Sequence, residues 1–390
     1  VAPQDNARFA HPTLNRTTPS LTVSSFTPNF SLVKNSNFSY SLLFGLLVLP
    51  FLARTQDARF SQIAASPQLT NPAMTGMIPG QMRFTANFRE LYGSVLGDGG
   101  YRSIAGGVDL RRPAGNGNFF GLGMQLQRDE AGTSDFVRSQ GLLSFSYQQH
   151  LGGSRYRRDV GHFITAGAQA GFGQRGYDFN KLWFSNQYFV DATTRDAYID
   201  NSLPTGEGFA GRGAGTYLDF NAGIGWFGNF GNRRGAYFGA AVYHLNKPNV
   251  SPLPGFQDLL DQRFVINGGG ELPLGTGEMS LLPAARIMTQ GPGFEALFGS
   301  NVRYTERRWR EVALRAGLWG QMSNQAGGNP AINAWVVSVG LETERLQFGV
   351  SYDLSVGDLN TVTNNRGGFE LSMIYVQKAN YRQKVICPTF

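Results

Sequence analysis

Chemistry in this chain would have to come from few reactive side chains. It has one cysteine, Cys387, and four histidines, His11, His150, His162 and His244, scattered over 390 residues. A single cysteine excludes an internal disulfide framework and every multi-cysteine metal site. The histidines lack the close pairing of a zinc site. His150 and His162 flank a predicted turn, yet no serine, histidine and aspartate pattern or paired carboxylate makes either a general base. His244 ends a strand-like run, where a hydrogen-bonded structural role is favoured over catalysis. No metal, no cofactor and no enzymatic activity are expected. The charges that recur in register are Arg315, Glu342, Asp353 and Glu370. They fall on the polar side of successive alternating segments, so they would meet across an enclosed space, as a salt-bridge network in preference to a transport filter.

The elements that carry them alternate with period two, the pattern of a strand with two unlike faces. Ile164, Ala166, Ala168, Ala170 and Phe172 alternate with Thr165, Gly167, Gln169 and Gly171. Trp335, Val337, Val339 and Leu341 alternate with Val336, Ser338, Gly340 and Glu342, and Leu346 to Leu354 repeat the pattern against Gln347, Gly349, Ser351 and Asp353. A soluble sandwich would crowd its outer face with Lys and Glu. Here only 16% of residues are charged and 51 are glycine. A small polar face suits the inner wall of a barrel, and the apolar face then meets lipid. Fourteen segments can be delimited, at 81–92, 101–112, 118–129, 137–150, 161–173, 216–229, 234–245, 262–273, 277–289, 294–305, 309–321, 332–344, 346–356 and 367–377. Each is long enough to cross a bilayer when tilted. The expected fold is all-β, a transmembrane antiparallel β-barrel of about 14 strands of the outer-membrane type. Tyr92, Tyr101, Trp226, Tyr237, Tyr304, Trp309 and Tyr375, near segment ends, are expected to form interfacial girdles.

The apolar run at 42–53 is too short for a spanning helix of roughly twenty residues. It reads as a signal-peptide core with cleavage before Gln56. Residues 1–55 are therefore an extension plus signal peptide, with 1–33 read as an over-extended gene start. Residues 56–80 form an N-terminal periplasmic element whose Asn71-Pro72 is turn chemistry, a cap in preference to a docking surface. Residues 81–377 are the barrel, and 378–390 a tail. Alternation lapses over 174–216, a long loop expected to fold as a cap or lumen plug, and 246–261 is a second excursion. Basic residues are dispersed. The densest groups, at Arg155–Arg158 and Arg307–Arg310, fall between strand-like runs, where lipid headgroups fit better than nucleic acid.

Several stretches resemble the PorP/SprF family of type IX secretion system outer-membrane proteins of the Bacteroidetes. Gln56-Asp57, Phe60-Ser61-Gln62, Pro67, Asn71-Pro72-Ala73 and Gly76 resemble its opening element, with Ala58 where the family often has proline. Trp183 and Phe184 with Gln187 look like its long-loop element, and His244, Asn246 and Pro248 like an internal step. Ser351-Tyr352-Asp353, Gly367 to Ser372 and the tail Ile386-Cys387-Pro388 resemble its C-terminal sequence. The resemblance implies a non-enzymatic part of the type IX secretion and gliding apparatus, exported to the outer membrane and embedded in its lipid. It also implies work as an adaptor or anchor for secreted proteins with C-terminal secretion domains, gliding adhesins included, together with other periplasmic and outer-membrane components. The competing reading is a passive pore or small-solute transporter. What separates the two is whether the N-terminal element and the long loop fill the lumen.

Overall fold

Outward-facing Leu, Ile, Val and Phe alternating with inward Gly, Ser, Gln and charge give each strand one face for lipid and one for a polar interior. The strands are β1 (Met82–Leu91), β2 (Tyr101–Gly115), β3 (Asn118–Ala131), β4 (Phe136–Gly152), β5 (Val160–Asp178), β6 (Tyr188–Val190), β7 (Ala197–Ile199), β8 (Arg212–Gly231), β9 (Arg234–Tyr243), β10 (Arg263–Leu274), β11 (Met279–Gln290), β12 (Gly293–Tyr304), β13 (Val312–Asn324), β14 (Pro330–Thr343), β15 (Leu346–Ser355) and β16 (Arg366–Gln377). All but β6 and β7 form one closed, antiparallel, fourteen-stranded barrel. Closure is made by β1 on β16, from Met82 opposite Gln377 to Leu91 opposite Gly368. The computed structural model describes residues 57–378 apart from 58, 133–134, 154–159, 192, 205, 207–211, 254, 276–277, 306–311, 325–328 and 358–359. The apolar run at 42–53, Trp309, the two arginine clusters and Cys387 lie outside the described residues. Among the described residues no helix is long and apolar enough to cross a membrane; the crossings are made by strands, whose backbone groups pair around the closed wall.

The parity read from sequence is the parity of the wall. Leu218, Phe220 and Ile224 stand exposed on the outside of β8, while Asp219, Asn221 and Gly223 are buried within. Two tight turns explain how neighbouring strands reverse. Gly115-Asn116-Gly117 and Gly231-Asn232-Arg233 all take positive φ, the conformation of the hairpin turns that match strand twist. Such short turns lie at the end that also holds the start of β1 and the end of β16, and the long connections, 179–211 and 244–262, lie at the other. Short turns mark the periplasmic end of such barrels and long loops the outer surface.

The strands differ from the sequence expectation at the long loop. β5 runs on to Asp178 and β8 begins at Arg212, paired from Phe172 opposite Leu218 up to Asp178 opposite Arg212. Beyond Phe172 and Leu218 nothing imposes apolar alternation, because the ladder needs only backbone hydrogen bonds and no lipid. Within the loop, β6 and β7 pair as a separate hairpin. Three rings assigned to girdles also face elsewhere. Tyr237 is buried in the lumen with Met74, Met77, Phe119, Phe163 and Phe227, and Tyr92 and Tyr101 line a cavity at the loop-side mouth. Trp226, Tyr304 and Tyr375 do stand on the outward parity of their strands.

Candidate functional site

The inner wall is not open to water through its middle. Residues 57–80 run inside it from the loop side towards the periplasmic end and there enter β1. The reading of 56–80 as a periplasmic element placed it beyond the strand ends; in the structure its residues are seated among inward-facing side chains. The segment makes only single helical turns, Ile63–Ala65, Pro67–Thr70 and Pro72–Met74. Most of its buried backbone must therefore find partners elsewhere, and the wall supplies them. Carbonyl oxygens accept from Arg286 (Phe60), Asn87 (Ala65), Gln169 and Tyr243 (Gln68), Thr165 (Ala73), Ser146 and Gln148 (Thr75) and Arg111 (Ile78). Arg83 and Asp109 form a bidentate pair, and Asp109 also accepts from the Gly76 N–H at 2.7 Å.

Inward glycines make the room. A Cβ on Gly121 would lie 2.3 Å from the Thr75 carbonyl oxygen, on Gly167 2.5 Å from the Pro72 carbonyl, and on Gly223 2.1 Å from Asn71 Oδ1. Glycine on the polar face therefore serves the seat of the plug. Gly76 itself has φ +70° and would bring a Cβ within 2.7 Å of the Gly121 backbone, so no other residue fits without strain.

Three groups of residues hold the plug. At the loop side, the Asp57 carboxylate meets Arg138, Arg263 at 2.8 Å and His244 at 2.8 Å. As imidazolium, His244 donates from Nε2 to Asp57 and from Nδ1 to Asp219, also at 2.8 Å. Strand parity would send residue 244 outward. A left-handed backbone, φ +58°, at the exit of β9 turns its ring inward instead, a conformation in which histidine is over-represented among non-glycine residues. In the middle, Glu370 accepts both the Ser61 and Gln62 N–H groups, at 2.7 and 2.9 Å. Arg89 bridges Glu370 at 3.2 Å and Asp353 at 2.5 Å, and the Gln62 side chain reaches Ser351 and Ser372. Nearer the periplasm, Asn71 accepts from Ala73 N–H and donates to the Ile224 and Ala240 carbonyls and to Asn267, all within 3.3 Å.

Burial opposes ionisation of Asp57, but Arg138, His244 and Arg263 together hold its carboxyl well below the usual carboxylate range. Burial likewise works against a charge on His244, in the loop beyond β9, yet Asp57 and Asp219 outweigh it and raise the imidazole above its ordinary value of 6.5. A raised histidine stabilises the seat fully below that ordinary value and loses its contribution as pH rises through the raised one. The depressed Asp57 contributes above 3.8 and fails only at stronger acidity. Hydrogen exchange of residues 59–64, corrected for intrinsic rate, should therefore be slower at pH 5.5 than at pH 8.5, and the difference should vanish in His244→Asn. A second expected result concerns Asn71→Ala, which takes the cap from the Ala73 N–H and a donor from Asn267 Oδ1, and removes the plug's hold on the Ile224 and Ala240 carbonyls. It should cost roughly 1–3 kcal/mol, read as a lower urea midpoint in lipid vesicles.

The charges expected to form one lumen network form two. Asp353 and Glu370 share Arg89, whereas Arg315 pairs with Glu342 at 2.6 Å, and Glu342 is gripped again by Arg303. Arg303 in turn lies 3.6 Å from Glu271, so this second chain lines the β10–β14 side of the lumen towards its periplasmic end. Phe60, Ser61, Gln62, Asn71, Pro72, Gly76 and His244 are brought into the plug and its seat. Trp183, Phe184, Gln187, Asn246 and Pro248 are not. Trp183 stacks on Tyr188 in the exposed loop, and Gln187 ties that loop by accepting from Phe184 N–H and donating to the Leu203 carbonyl. Asn246 donates to the Leu218 carbonyl on β8, and the Pro248 carbonyl accepts from Leu260 N–H. The sequence reading missed Arg89, Arg138, Arg263 and Arg286. Strand parity carried forward from Arg83 would have placed Arg89 inward.

Above Asp57 the mouth opens into a cavity of about 570 Å³, and on the periplasmic side of Gln62 a pocket of about 90 Å³ remains. A closed barrel with an apolar exterior and a lumen packed by its own N-terminal residues defines an outer-membrane β-barrel protein of the plugged kind. The chain belongs to the PorP/SprF family: a family model described as type IX secretion system membrane protein PorP/SprF matches residues 53–375. No curated protein matches the chain. Among solved structures it is similar to CdiB from Acinetobacter baumannii, at 8% identity and TM-score 0.37 over 76% of this chain. That match spans only 60% of CdiB. It is also similar to the Ralstonia pickettii toluene transporter TbuX, at 10% identity and TM-score 0.41 over 82% of this chain and 95% of that one. The TodX monoaromatic hydrocarbon channel deltaS2 mutant gives 11% identity and TM-score 0.42 over 80% and 93%. These are likenesses of barrel architecture.

Proposed function

We propose that this type IX secretion membrane protein is a non-enzymatic adaptor or anchor that holds secreted proteins with C-terminal secretion domains at the outer membrane. Its exposed loops and strand ends make the contacts, and a signal peptide at 42–53, removed before Gln56, delivers it. The observation that carries this reading over a passive pore is the seating of residues 57–80 through the lumen. A conducting channel needs a wide polar path with weak binding along it. This lumen binds its own chain at three levels. Partner contacts then fall on surfaces outside the lumen, including the 179–204 loop with its exposed Trp183, Tyr188, Val190 and Tyr198.

The test is affinity purification of the tagged barrel from gently solubilised outer membranes, with mass spectrometry of its companions. Co-purification of secretion components and of a protein bearing a C-terminal secretion domain supports the adaptor. A barrel that comes alone, and conducts ions with its plug intact, sinks it.

A further inference from the structure

The loop-side cavity above Asp57 contains a carboxylate that the fold leaves unanswered. Four arginines line this cavity, and each already meets an acid: Arg59 pairs with Glu295, Arg89 with Asp353 and Glu370, Arg138 with Asp57, and Arg175 with Asp258 at 3.1 Å. Of the lining carboxylates, Asp57 and Asp353 are held by those arginines, and Glu130 by Arg128 at 2.8 Å. Asp129 is the exception. It is 7% exposed and accepts from the Gln127 side-chain amide at 2.9 and 3.2 Å, and among the described residues no cation forms an ion pair with it. Arg138 stands directly opposite in the β3–β4 register, but its guanidinium is committed elsewhere. It donates to Asp57, to Gln140 Oε1 at 3.0 Å and to the Tyr217 hydroxyl at 3.1 Å. The wall above Asp129 forms a slot. Ala131, two residues nearer the loops on the same face of β3, has Phe136 as its partner on β4. On β2, Ser103 lies opposite Asp129, and Tyr101 is two residues nearer the loops. The small alanine thus leaves a gap between two rings, with Asp129 at its base. All four of Tyr101, Asp129, Ala131 and Phe136 line the cavity, and Tyr101 is 50% exposed.

We propose that this slot takes the ammonium or guanidinium of a lysine or arginine side chain presented by a polypeptide at the mouth. A buried carboxylate without a counter-charge is costly, and a cation bearing N–H donors supplies the charge-assisted hydrogen bonds that Asp129 lacks. Aromatic rings beside it add their attraction for a cation. An anion is disfavoured, because every lining guanidinium already has its carboxylate and Asp129 would repel a further one. The volume, about 570 Å³, is that of a pocket for an organic ligand and far exceeds what an inorganic cation needs, so a side chain with its adjoining backbone is the better fit. That a polypeptide brings the cation rests on the adaptor reading; the cation chemistry does not.

The experiment is a saturation-transfer NMR titration of the whole detergent-solubilised barrel with Nα-acetyl-lysine methylamide, Nα-acetyl-norleucine methylamide and butylamine. The lysine amide should bind saturably, and the norleucine amide, of similar shape without the charge, should not. Asp129→Asn should weaken the lysine amide about tenfold, as expected for the loss of a hydrogen bond between charged groups. Tyr101→Ala should weaken it about threefold, as expected for one exposed cation–aromatic contact. Heat-modifiable gel mobility checks that each variant is folded. Equal binding of the norleucine amide, or undiminished binding of the lysine amide to folded Asp129→Asn, overturns the cation site. Butylamine carries the ammonium without a peptide backbone and should bind more weakly than the lysine amide; equal binding overturns the polypeptide source. The adaptor reading is judged separately by co-purification: companions that still accompany the wild-type barrel when the titration fails remove the slot and leave the adaptor standing.

Discussion

Deleting residues 57–78 is expected to convert a closed barrel into a conducting one. In planar bilayers the intact protein should stay near the baseline, while the deletion should give discrete steps with a conductance higher by more than about tenfold, because a barrel of this size leaves an aqueous channel once its filling is gone. The wall should survive the loss. Its strands pair independently of the plug, Arg83 keeps Asp109, Arg89 keeps Asp353 and Glu370, and water can enter to solvate the wall groups released from the plug backbone. The cut leaves Pro79 and Gly80 to lead into β1. Equal conductance before and after deletion, with both proteins heat-modifiable on gels, would mean that the plug does not close the lumen.

The second large effect is expected at Glu370. It is 1% exposed, accepts two consecutive plug N–H groups and pairs with Arg89, itself nearly buried. Glu370→Ala removes an acceptor from three donors at once. Stripping one partner from a buried pair costs about 3–5 kcal/mol, since the other is left charged and partly unpaired, and the two orphaned N–H groups add to that. Urea unfolding in vesicles should show the loss. Glu370→Gln, which keeps one acceptor oxygen, should lose less, and Arg89→Ala combined with Glu370→Ala should lose less than the sum of the two. Additive losses would mean that the two side chains do not act together.

Much of the wall was legible because lipid imposes a rule at every second residue. Phe348, Val350, Tyr352 and Leu354 alternate with Gly349, Ser351 and Asp353 whatever lies far away in the chain. The plug obeys no such rule. Its partners are scattered from nearby strands, as Ala65 with Asn87, to the far end of the chain, as Ser61 with Glu370, and its short helical turns leave no periodicity to read. The lumen charges were visible as inward positions, but parity states only that Arg315, Glu342, Asp353 and Glu370 face the same interior, not at which height. Hence one network was expected where Arg89 and Arg303 organise two. Tyr237 was misplaced because a ring near a strand end looks alike whether it meets headgroups or Met74 and Met77. His244 escaped parity through its left-handed turn, and the loop residues Trp183 and Gln187 fold among themselves, so their motif gave order in sequence without place in the lumen.

The pairing of Ser61 and Gln62 with Glu370 also sets an order of events. The earliest part of the described chain is received by its last strand, with a sequence separation of 309 residues. Contacts so distant form late, because the intervening chain must first be arranged. The anchorage at Glu370 exists only after β16 has arrived, and Arg89 on β1 shares that carboxylate across the seam between first and last strands. The seated plug thus records that the ring has been completed: a barrel stalled one strand short would lack the acceptor for its own beginning, and would present that loose segment to whatever inspects unfinished proteins in the periplasm.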